Sequence, residues 1–128
     1  MASVLIIDDS LLTFAFAQSA LQSHGHRVIS ARDGVEGLST ARDERPDVII
    51  TALSLPALDG LSVLRILREE GHASPYIVIG DLQSETTRTA CETLGVVGSI
   101  SRPINAACVR ELVDLALRTG DTRMQAAA

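Results

Sequence analysis

Asp47-Val48-Ile49-Ile50-Thr51-Ala52 is the stretch on which the fold turns. It is apolar almost without interruption, rich in β-branched side chains and preceded by Pro46. A run this short suits a strand buried on both faces better than a helix. Similar runs lie on either side: Val4-Leu5-Ile6-Ile7 ending in Asp8-Asp9, Arg27 to Ala31, Tyr76 to Gly80, and Val97 to Ser101. Between them the pattern predicts helices over 11–24, ended by Gly25, and over 35–44, entered from Asp33-Gly34 and stopped by Pro46. Further helices are expected over 61–71, 84–94 before Gly95, and 105–118.

Strands that alternate with helices predict an α/β domain with a doubly wound five-stranded parallel sheet and five helices, because parallel strands need crossovers and those are right-handed. One domain is expected over 1–118. The segment 119–128 lacks periodicity and is expected to be a linker or disordered C-terminal tail. In such sheets the working site lies at the carboxyl ends of the strands. That places Asp8, Asp9, Ala52, Gly80, Asp81, Ser101 and Arg102 together before any relative is considered.

Composition narrows the function classes. The chain has 128 residues and a formal charge of −5, so it has no basic face with which to neutralise nucleic-acid phosphates. Phe14, Phe16 and Tyr76 are too few and too scattered to stack bases. No apolar run is long enough to span a bilayer, and no secretory leader pattern opens the chain, so a cytoplasmic location is expected. Cys91 and Cys108 lack metal-ligand spacing and read as packing residues, while His24 and His26 flank a turn glycine. All 11 basic side chains are arginine.

Three segments together resemble the receiver domain of bacterial response regulators. They are Val4 to Ser10 with its acidic pair, Pro46 to Gly60 with Pro56 and the closing Asp59-Gly60, and Gly95 to Ile104 with Arg102 before Pro103. The resemblance covers Ser3 to Arg118 and implies the flavodoxin-like receiver fold with strand order 2-1-3-4-5. It also implies an aspartate acceptor ending strand three, Mg²⁺ on the acidic pair, a Ser or Thr on strand four and a Lys on strand five.

This sequence departs from that pattern. Ala52 stands at the acceptor position, Gly80 at the Ser/Thr position, Arg102 at the Lys position and Ser99 at the aromatic switch position. Alanine has no nucleophile, so an acyl phosphate cannot form there. Thr51 cannot substitute, because alternation turns its side chain to the other face. Asp8 and Asp9 form an acidic pocket and are weak metal candidates. With Arg102 they leave a net charge of about −1, against about −2 in a full receiver site, so Mg²⁺ binding is expected to be weak or absent and no cofactor is expected. Arg102 is expected to pair with one of the acids, in a bidentate hydrogen bond if geometry allows, standing in for the metal. Ala52 and Gly80 are expected to leave room for water or a small anion in the floor of the site.

The expected function is a pseudo-receiver, a phosphorylation-independent interaction module without enzymatic activity. The alternatives are a conventional receiver whose acceptor aspartate was exchanged for alanine and, more remotely, a domain that senses a small ligand. Expected partners are a kinase, phosphotransfer or output protein, with neither nucleic acid nor membrane, in a monomer or weak homodimer. On the first helix, Phe14 and Phe16 lie about 200° apart. Leu12, Phe16 and Ala20 are assigned to the core, and Leu11 and Phe14 to an apolar partner surface. Arg88 and Glu92 on the polar fourth helix complete the candidate surfaces.

Overall fold

The computed structural model describes residues 2–127, with side chains through Arg118. The chain runs β1 (Ser3–Ile7), α1 (Leu11–Gln22), β2 (Arg27–Ala31), α2 (Gly34–Glu44), β3 (Val48–Ala52), α3 (Gly60–Glu69), β4 (Tyr76–Ile79), α4 (Glu85–Leu94), β5 (Val96–Ile100) and α5 (Ala106–Ala127). All neighbouring strands are parallel, in the order β2-β1-β3-β4-β5. The expected architecture is therefore the observed one. The expected linker or tail over 119–128 lies outside the residues whose side chains are described.

Two cores flank the sheet because strand side chains alternate. Val4, Ile6, Val48, Ile50, Ile77 and Ile79 face α1 and α5. Leu5, Ile7, Ile49, Tyr76 and Val78 face α2, α3 and α4. β3 is buried at every position, as its unbroken apolar run requires. Helix starts follow capping chemistry: Ser10, Asp33, Asp59 and Ser84 each accept a backbone N–H three residues on. Gly95 ends α4 in the left-handed conformation.

The core assignment on α1 holds for Ala20 and is overturned for Leu12 and Phe16. Leu12 and Phe16 are 69% and 55% exposed, whereas Thr13, Ala17, Ala20 and Leu21 are buried and Phe14 packs against the core. The helix is apolar nearly all round, so periodicity does not select a face. The small Ala17 and Ala20 turn inward and leave the bulky side chains outside. Cys91 is buried as expected, but Cys108 is exposed and is no packing residue.

Candidate functional site

The strand ends bring four connections together. Asp8 follows β1 and its backbone N–H bonds to the Ala31 carbonyl. Ala52 ends β3, and the Leu53 N–H after it bonds to the Ile79 carbonyl. Gly80 follows β4 and donates to the Ile100 carbonyl. Arg102 lies in the β5–α5 connection, where its peptide bond to Pro103 is cis.

Asp8 is the charged centre of the site. Its side chain is fully buried, a placement that requires counter-charge and hydrogen bonds. Oδ1 accepts the Ser10 N–H at 2.9 Å, and Oδ2 accepts Arg102 Nη2 at 3.0 Å. The other terminal nitrogen of the guanidinium, Nη1, donates to Thr13 Oγ1 at 2.6 Å. The expected pairing of Arg102 with an acid is present, but it is not bidentate. The fork divides between a carboxylate and a hydroxyl because Thr13, one turn into α1, reaches the second nitrogen. Asp9 is exposed and faces none of these groups in a hydrogen bond.

The floor also differs from expectation. A Cβ on Gly80 would lie 2.9 Å from Leu53 Cδ1 and 3.3 Å from its Cγ. The Leu53 side chain thus takes up the Gly80 part of the room that Ala52 and Gly80 together were expected to leave for water or an anion. Gly80 also has φ of +148°, a backbone state that side-chain-bearing residues rarely adopt. Ala52 is buried. Thr51 points to the opposite face, where Oγ1 donates to the Ala52 carbonyl at 3.0 Å. Asp81 is exposed and accepts from Gln83 Nε2 at 3.4 Å. The loop after Ala52 is held from below by Gly60, whose N–H bonds to the Leu53 carbonyl. A Cβ there would strike the Ala52 carbonyl oxygen at 2.0 Å, so the Asp-Gly pair closing this loop is a steric requirement.

A family model for the response regulator receiver domain matches residues 4–114. The chain belongs to this family. It is 29% identical over 119 residues to Protein PilH of Pseudomonas aeruginosa, covering 91% of this chain and 98% of that protein. It is 33% identical over 118 residues to the KDP operon transcriptional regulatory protein KdpE of Escherichia coli, covering 92% of this chain and 52% of that protein. The chain thus spans nearly all of one relative and about half of the transcriptional regulators it matches. Among solved structures, the chemotaxis response regulator CheY4 of Vibrio cholerae superposes with a TM-score of 0.83 at 27% identity, covering 91% of this chain and 99% of that one. The Francisella response regulator 1452 receiver domain gives 0.82 at 27% identity, covering 93% and 99%.

Receiver domains imply Mg²⁺ on the acidic pair, and the residues present here do not fit it. Asp8 has both oxygens engaged, Asp9 stands apart in solvent, and the third carboxylate is absent at Ala52. Among the described residues no group of three or more His, Cys, Asp or Glu gathers to hold a metal. A cavity of about 490 Å³ lies at the other end of the sheet, lined in part by Arg45, Asp47, His72 and Ser74. It is remote from the carboxyl ends of the strands, where Asp8, Ala52, Gly80 and Arg102 lie.

The partner surfaces proposed from sequence are partly rearranged. Leu11 is 63% exposed as expected, while Phe14 is half-buried, so the exposed apolar stripe on α1 is Leu11, Leu12 and Phe16. Arg88 and Glu92 are exposed on α4, and Ser99 is exposed on the edge strand β5. Sequence reasoning missed Leu53 and Thr13. Spacing signalled neither, because Thr13 meets a donor 89 residues away and Leu53 meets a glycine that follows another strand.

Proposed function

We propose that this receiver domain is a pseudo-receiver, a phosphorylation-independent interaction module in bacterial two-component or phosphorelay signalling. The observation that carries the proposal is the altered acceptor site. Ala52 supplies no nucleophile, Leu53 lies against the place where a Gly80 side chain would begin, and Arg102 pairs with Asp8. A single exchange of aspartate for alanine at position 52 would not by itself produce the other two features.

The reading assigns the chain no enzymatic activity and a cytoplasmic place among signalling proteins. Its partners would be a kinase, a phosphotransfer protein or an output protein, met through the exposed Leu11, Leu12 and Phe16 face or through Arg88 and Glu92 on α4. Any switching then follows from a partner's differential affinity for conformations of the domain, not from covalent chemistry. The amide spectrum of the labelled chain, recorded with and without a small-molecule phosphodonor and Mg²⁺, tests this. The spectra are expected to superpose, and coordinated shifts across β4, α4 and β5 would overturn the proposal.

A further inference from the structure

Asp8, Thr13 and Arg102 come from β1's end, α1 and the β5–α5 connection, and they meet where the exposed Arg102 side chain reaches down onto the buried Asp8 carboxylate and Thr13 hydroxyl. We propose that the Arg102 guanidinium is the resident cation of this pocket and that its two terminal nitrogens do two jobs at once. One neutralises Asp8, and the other fastens the first turn of α1 to the β5–α5 connection through Thr13. The inference rests on the reading that no phosphoryl chemistry occurs at this site.

The geometry supports both halves. Asp8 is fully buried at its side chain, and the one oxygen not taken by the Ser10 N–H is taken by Arg102 at 3.0 Å. A divalent ion seeking that oxygen must displace the guanidinium. Thr13 is only 8% exposed, so its hydroxyl needs a partner inside the fold and finds Arg102 at 2.6 Å. A planar guanidinium spans the carboxylate and the hydroxyl together, whereas an ammonium is a single point of charge. Arginine here is therefore not equivalent to the lysine that receivers carry. Because one group makes both contacts, ion occupancy and the attachment of α1 exclude each other.

The test titrates millimolar MgCl₂ into the labelled full chain, following the amides of Asp8, Asp9 and Thr13 and the Arg102 guanidinium signal. The native protein is expected to show no saturable change, with the Arg102 guanidinium in nuclear Overhauser contact with Thr13. Arg102→Gln returns the site to a net charge of about −2 and is expected to bind Mg²⁺ at least about tenfold more tightly. Arg102→Lys retains the charge and is expected to keep Mg²⁺ out while hydrogen exchange in the first turn of α1 quickens. Saturable shifts at Asp8 with the guanidinium signal unchanged would overturn the proposal, as would an Arg102→Gln variant that gains no affinity. If that variant does not fold, the native protein still decides, because an Arg102 guanidinium with no nuclear Overhauser contact to Thr13 contradicts the seating. Failure of the pseudo-receiver reading shows separately, as covalent phosphoryl transfer to the chain.

Discussion

Restoring the family's hydroxyl at β4 by Gly80→Ser is expected to damage this domain rather than repair it. Two costs combine. At φ of +148° a residue with a Cβ is strained by about 1–3 kcal/mol. The new Cβ also meets Leu53 Cδ1 at 2.9 Å, and because that atom is the far end of a flexible side chain, the overpacking falls near the low end of the usual range, about 1 kcal/mol. Together they amount to about 3 kcal/mol, which for a domain of this size lowers Tm by roughly 10 °C. Thermal and urea unfolding of four proteins check it: native, Gly80→Ser, Leu53→Ala and the double variant. The steric part belongs to the pair, so the double variant is expected to be more stable than the sum of the singles by about 1 kcal/mol. A Gly80→Ser variant as stable as the native protein, or strict additivity with Leu53→Ala, would refute the filled floor.

Tyr76 is fully buried, its hydroxyl has no hydrogen-bond partner among the described residues, and Arg68 lies 4.1 Å over its ring. Tyr76→Phe is therefore expected to stabilise the domain by about 1 kcal/mol in urea unfolding, since an unsatisfied buried hydroxyl is removed. Burial pushes the phenol above its ordinary range, with the Arg68 charge opposing the shift. A group whose pKa is raised by folding stabilises the fold below its unfolded pKa and loses that contribution as pH rises through the folded one. Stability is thus expected to fall above about pH 10, and Tyr76→Phe should flatten that limb. Tyr76 is the sole tyrosine, so phenolate absorbance reads it directly. Ala57 holds φ of +69° in a tight turn closed by the Leu58 N–H on the Pro56 carbonyl. Ala57→Gly should raise stability by about 0.5–1 kcal/mol by relieving that conformation, and unchanged thermal unfolding would count against it.

The sheet was legible because each buried strand announced itself as an apolar run, β3 most plainly, and the turn residues Asp59-Gly60 and Gly95 marked the connections. Strand-end logic brought Asp8, Ala52, Gly80 and Arg102 together without reference to side chains. Two kinds of information were not legible. The inward face of α1 was hidden because apolar side chains surround the helix, and small alanines won the buried positions over Leu12 and Phe16. The other was pairing across long chain separations. Thr13 with Arg102, and Leu53 against Gly80, depend on which side chain reaches which, and spacing along a sequence does not encode reach.

Intact mass after incubation with acetyl phosphate and Mg²⁺ tests the central claim most directly, with a conventional receiver treated in parallel to show that the donor is active. The chain is expected to keep its unmodified mass at every time point. An added phosphoryl group that disappears on hydroxylamine treatment, as an acyl phosphate does, would contradict the account.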